Sequence, residues 1–243
     1  EPLPTDAGLT TGTTSPTALL SPEEIGHAGT VLTRLQQGLR TALLGQDTLL
    51  DRVRHFGYLE SLIQQRFPKH RLVVRNLAWA ADEVALQPRP ANFAGVEQHL
   101  THEKADVILA AFGFNESFAG KDGVPAFRRK LADYLDGLQT KAFNGKSAPR
   151  IVLISPIANE NAQGVRAADL NNARIKLYVD VMKQVARQQR VGFVDVFTRT
   201  RQEMESVGSD LTINGAHLND AGYELFAEVQ RQARMDAMTQ LLT

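Results

Sequence analysis

Leu211-Thr212-Ile213-Asn214-Gly215-Ala216-His217-Leu218-Asn219-Asp220-Ala221-Gly222-Tyr223 places one histidine on a glycine-containing loop, just ahead of an amphipathic closing segment over residues 221–241. A histidine at that point suits proton transfer, because imidazole is the side chain whose unperturbed charge change falls near neutral pH. Three residues before His217, where a carboxylate would ordinarily steady such a base, stands Asn214. The alternative is an ordinary loop histidine, so the surrounding pattern must decide.

Working outward, short apolar runs alternate with helical periodicities. Residues 41–44, 72–77, 106–112, 150–154 and 191–196 read as buried strands. Apolar residues recur at helical spacing at Phe56, Leu59, Leu62, Ile63 and Phe67, until Pro68 stops them. The same spacing marks Val124 through Leu138, residues 167–189 and residues 221–241, and a further helix is expected over 93–100. Five short strands separated by helices predict an α/β fold, a three-layer α/β/α sandwich on a mostly parallel five-stranded sheet of flavodoxin-like type. In such sheets ligands bind beyond the carboxyl ends of the strands. The segments to inspect are therefore 45–52, 78–84, 113–118, 155–161 and the His217 loop.

Composition narrows the function classes. Lys plus Arg and Asp plus Glu are each 27, so the formal net charge is zero and the positive field needed for nucleic-acid binding is missing. The longest apolar runs are strand-sized rather than membrane-spanning. With no cysteine, thiolate nucleophiles, thiolate metal sites and disulfides are excluded. The 243 residues suit one sizeable core. Residues 1–21, rich in Thr, Ser, Pro and Gly, read as a flexible N-terminal segment, and 22–243 as a single domain entered by a helix over 25–39. The opening composition fits a spacer left after removal of an export signal, which predicts a periplasmic or extracellular protein; a trimmed start is the other reading.

Four segments, in order, resemble the SGNH (GDSL-type) hydrolase family over residues 41–226. Phe112-Gly113-Phe114-Asn115-Glu116 resembles its Gly-x-Asn turn, and Asn214-Gly215-Ala216-His217-Leu218-Asn219 its Asp-Gly-x-His-Leu-Asn block. Arg75 through Asp82 resembles its Asn-x-Gly-x-x-Gly-Asp turn, and Gln46-Asp47-Thr48 stands where the family has Gly-Asp-Ser. His55-Phe56-Gly57-Tyr58 is similar to secreted bacterial members, which makes this chain a divergent branch with altered catalytic residues. The resemblance implies an esterase or acylhydrolase acting on small O-acyl esters, acetylated glycans among them, without cofactor or metal. In that scheme Thr48 is the nucleophile, His217 the base and Asn214 its orienter. Asn115 and the N–H groups of Thr48 and Ala81 form the oxyanion hole, with Asp47, Trp79 and Glu116 lining the site.

The departures carry physical consequences. A threonine hydroxyl is a hindered nucleophile with stiff χ1. Replacing the triad Asp by Asn in a serine protease costs on the order of 10⁴ in kcat. Ala81 replaces a glycine and still offers its N–H, provided its backbone is unstrained. Weak hydrolysis follows unless Asp47, Asp82, Glu116 or Asp220 serves as the missing carboxylate; an inactive domain that keeps the crevice for ligand or protein binding is the rival. Thr48 could instead cap a helix beginning at Leu49, Asn115 could simply cap its turn, and Ser117 reads as a turn serine. Trp79 is either crevice packing or a carbohydrate platform. His99 and His102, beside Glu97 and Glu103, read as a solvated helix face rather than a metal site, and Arg52 and Arg54 either bind an acidic substrate or are exposed helix-start arginines.

Overall fold

A strand sends successive side chains to opposite faces, so one buried on both faces is apolar nearly throughout. β1 (Arg40–Gly45), β3 (Val107–Ala111) and β4 (Arg150–Ile154) meet that condition and form the middle of a sheet. β2 (Val73–Asn76) and β5 (Gly192–Val194) complete it in the order β2-β1-β3-β4-β5, all pairs parallel. The computed structural model describes residues 39–45, 47–79, 81–162, 166–206 and 210–237. The expected segment 1–21, the helix over 25–39 and the boundary between residues 21 and 22 lie outside them.

Seven helices are seen among the described residues: α1 (Tyr58–Arg66), α2 (Val96–Glu103), α3 (Phe114–Ser117), α4 (Gly120–Gln139), α5 (Ala168–Gln189), α6 (Val196–Glu205) and α7 (Asp220–Ala237). Alternation along β1 divides the core. Ala42 and Leu44 join Ile108, Ala110 and Leu153 against Phe127, Leu131, Tyr178 and Met182 of α4 and α5. Leu43 joins Leu109, Val152 and Ile154 against Leu59 and Ile63 of α1 and Phe226 of α7. This is the expected α/β/α sandwich, and no described helix is long and apolar enough to cross a membrane.

Two local expectations need correction. The helix expected over 93–100 begins at Val96, because Asn92 turns the chain with φ 64° and the Gly95 N–H is capped by Gln98 Oε1 at 2.7 Å. The last strand ends at Val194, because Asp195 caps α6 by accepting from the Thr198 N–H at 2.9 Å. Sequence reading missed α6 altogether.

The strand order reverses between β1 and β3, which opens the crevice at their carboxyl ends. Gly45 closes β1 there with φ 111°, and a Cβ on it would lie 1.9 Å from the Ala111 carbonyl oxygen. Only glycine lets the two strand ends approach so closely.

Candidate active site

The histidine loop is closed on itself and clamped from outside. Ile213 N–H donates to the His217 carbonyl at 2.8 Å, and Thr212 bridges to Leu218. Glu160, from the segment after β4, accepts from the N–H groups of Leu211 and Thr212 and from Thr212 Oγ1 at 2.6–3.1 Å. Glu160 N–H and Asn159 Nδ2 both donate to the Gly215 carbonyl at 2.9 Å. Gly215 has φ 88°, and a Cβ there would meet the Glu160 carbonyl at 2.6 Å. Sequence reasoning flagged residues 155–161 as a post-strand segment but did not single out Glu160. The available signal was a carboxylate in the segment that follows β4 at its carboxyl end.

On this loop Asn214 Oδ1 lies 2.9 Å from His217 Nδ1. The same oxygen accepts from the backbone N–H groups of His217 (3.0 Å) and Ala216 (3.3 Å). Those two donors identify the oxygen end of the carboxamide, since its nitrogen could not accept from them. The ring must then donate from Nδ1, which leaves Nε2 as the basic nitrogen. The amide therefore does a carboxylate's orienting work without its charge.

Three of the four candidate replacement carboxylates are engaged elsewhere. Asp82 is buried and forms a two-pronged pair with Arg89, at 2.6 and 2.7 Å. Asp220 accepts from the Tyr58 hydroxyl at 3.1 and 3.2 Å. Glu116 accepts from the Val84 N–H (3.0 Å) and the Gly113 N–H (2.8 Å). Burial pushes the Glu116 carboxyl above its ordinary value, against the opposing pull of those N–H groups. None of the three hydrogen-bonds to the His217 ring. Glu116 ties the segment after Ala81 to the turn bearing Asn115.

The residues expected to donate to the oxyanion sit on those two segments. Gly113, with φ 103°, turns the chain from β3 into α3 and presents Asn115, whose carboxamide makes no hydrogen bond among the described residues. Ala81 has φ 63°, the left-handed region in which a Cβ costs roughly 1–2 kcal/mol. Its backbone is thus not unstrained, yet its N–H also makes no hydrogen bond among the described residues. Thr48 and Asp47 lie on a π-helical turn, Asp47–Asp51, and their side chains fall outside the described part. That turn is held from two sides: Tyr223 Oη donates to the Leu49 carbonyl at 3.0 Å and Asn76 Nδ2 to the Leu50 carbonyl at 2.6 Å.

The remaining candidates resolve as follows. Ser117 is buried and donates to the Phe114 carbonyl at 2.6 Å, a turn serine. Arg54 pairs with Asp51 at 2.9 Å. His99 meets Phe93 at a tilt of 44° with ring centres 5.4 Å apart, and among the described residues no group of three or more His, Asp or Glu side chains could hold a metal. Trp79 is 39% exposed, its ring covered by the Arg89 guanidinium at 4.8 Å and met edge-on by Phe93 at 5.1 Å.

Residues 44–225 match the model of the GDSL-like Lipase/Acylhydrolase family. Comparison with curated proteins gives no match. Among solved structures, the chain is similar to a catalytic mutant of Axe2, an acetylxylan esterase from Geobacillus stearothermophilus. That likeness has a TM-score of 0.61 at 16% identity, covering 81% of this chain and 94% of that one. An acetyl xylan esterase named AlAXEase is similar at TM-score 0.57 and 15% identity, covering 80% and 99% of the two chains. LAE5, an alpha/beta hydrolase enzyme from the metagenome of Lake Arreo in Spain, is similar at TM-score 0.57 and 19% identity, covering 81% and 94%.

Proposed function

Since the chain belongs to the GDSL-like lipase/acylhydrolase family, a family of carboxylic ester hydrolases, we propose that it hydrolyses small O-acyl esters, with O-acetyl groups on glycans as the substrates. The observation that carries this reading is the Asn214–His217 contact. Two backbone N–H groups fix the amide oxygen, the oxygen fixes the ring, and Nε2 is left free to take a proton.

In the proposed mechanism Thr48 Oγ attacks the acyl carbonyl while His217 Nε2 accepts its proton. The resulting oxyanion is held by Asn115 Nδ2 and by the N–H groups of Ala81 and Thr48. One such donor is worth roughly 10²–10³ in rate. Collapse breaks the ester C–O bond, and the alcohol leaves with the proton carried by His217. Water then attacks the acyl-threonine by the same route, releasing the acid and restoring the hydroxyl.

The rival, a binding domain without turnover, draws on Thr48 and on the lost charge at position 214. Against it stands an imidazole still held in the tautomer that catalysis needs. The test is hydrolysis of p-nitrophenyl acetate and acetylated xylo-oligosaccharides by the parent, His217→Ala and Thr48→Ala. The mechanism expects each substitution to lower kcat by about 100-fold or more. Equal rates in parent and both variants would remove His217 and Thr48 from the chemistry. An inactive parent that gains turnover on Thr48→Ser with Asn214→Asp would support the binding reading.

A further inference from the structure

The turn that carries Ala81 also carries an aromatic surface that ester hydrolysis itself does not need. Trp79 and Phe93 meet edge to face at 5.1 Å, yet remain 39% and 43% exposed. In contact with each other, they make a contiguous exposed aromatic surface rather than two scattered apolar residues. Behind the indole lies Arg89, whose side chain is only 12% exposed. Its guanidinium is committed to Asp82, to the Pro88 carbonyl and to the indole itself. The cation is neutralised by a carboxylate that is 2% exposed, so the arginine stiffens the indole and does not offer a charge to an anionic ligand. The Trp79 N–H donates to the Gly45 carbonyl at 3.2 Å. That bond anchors the turn at the carboxyl end of β1, three residues from Thr48. Trp79, with Phe93 against it, therefore stands beside the carboxyl end of β1, where the crevice opens.

We propose that Trp79 and Phe93, backed by the Arg89–Asp82 pair, form a subsite that stacks a neutral pyranose ring of the alcohol portion of the substrate. A pyranose presents an apolar face of C–H groups, which packs on an indole while its hydroxyls stay in water. The electrically neutral backing favours an uncharged sugar over a uronate. This assignment rests on the glycan-ester reading above and names the residues that would distinguish a glycan ester from a simple one.

Trp79 is the single tryptophan of the chain, so its fluorescence reports on this subsite whether or not turnover occurs. Unacetylated xylotetraose should shift or quench that emission saturably, in the millimolar range typical of weak ligands. Phe93→Ala keeps the reporter and should weaken the apparent affinity by about ten-fold, the loss expected when one ring of a contact is truncated. In turnover, Trp79→Ala should lower kcat/KM for acetylated xylotetraose, relative to that for p-nitrophenyl acetate, by about ten-fold through KM. Emission unchanged up to about 10 mM sugar, or equal affinities of the parent and Phe93→Ala, would overturn the subsite. An equal response to tetragalacturonate would overturn the choice of a neutral sugar. Saturable sugar binding by a parent that fails to deacetylate would uphold the subsite and refute the ester-hydrolase reading alone.

Discussion

Asn214→Asp isolates the charge missing from the site. The aspartate would inherit the same three donors, His217 Nδ1 at 2.9 Å and the N–H groups of His217 and Ala216 at 3.0 and 3.3 Å. The ring orientation should therefore be unchanged, and the gain should come from stabilising the imidazolium in the transition state. Two unit charges about 4 Å apart attract by about 1 kcal/mol in water and about 4 kcal/mol at an effective dielectric near 20. Asn214 is exposed, which keeps the gain below the upper end of that range, at about 1.4–2.8 kcal/mol. The expected rise in kcat is therefore about 10- to 100-fold. This is less than the roughly 10⁴ that separates Asp from Asn in a serine protease, where the amide also enforces the wrong tautomer. The assay is initial-rate hydrolysis of p-nitrophenyl acetate across pH. The acid limb should also move to higher pH, because the new carboxylate favours the charged ring. A variant within two-fold of the parent at every pH would refute the reasoning and point to a different partner for His217.

Three further outcomes follow from the same geometry. Ala81→Gly relieves roughly 1–2 kcal/mol of left-handed strain and gives back part as chain entropy. Its melting temperature should rise by about 1–4 °C, and an unchanged or lower value would show that the turn bears no strain. Arg89→Ala leaves Asp82 buried and unpaired, so urea unfolding should show a loss of about 3–5 kcal/mol, mostly recovered when Asp82→Ala is added; a loss below about 1 kcal/mol would refute this. Glu116, whose carboxyl is raised by burial, binds its proton more tightly folded than unfolded, so its contribution to stability is full at acid pH and falls as pH rises through the raised value. The stability of the parent minus that of Glu116→Gln should therefore fall as pH rises from below the ordinary glutamate value toward neutrality, and a signed difference that rises with pH in urea melts would contradict the argument.

What was legible in the sequence is what depends on near neighbours. β1, β3 and β4 could be read because a twice-covered strand must be apolar along its length, β2 and β5 because short apolar runs separate the helical segments, and α1, α4, α5 and α7 because their apolar residues recur at helical spacing. The Asn214–His217 contact was foreseeable because the two lie three residues apart on one turn. Where a cap outweighed periodicity, as at Asp195 and Gly95, the element ended or began elsewhere, and α6 went unseen.

The sequence by itself determined the family, the α/β/α architecture and the pairing of an amide with the base, since each is written in local pattern or in the order of blocks. Tertiary structure alone decided how the carboxylates are used. Asp82 went to Arg89, Asp220 to Tyr58, Glu116 to Val84 and Gly113, and Glu160 to the histidine loop. It also decided that Ala81 is held left-handed. The physical reason is that the carboxyl ends of parallel strands bring together loops far apart in the chain. Which donor reaches which carboxylate there is settled by distance through space, which no spacing along the chain records.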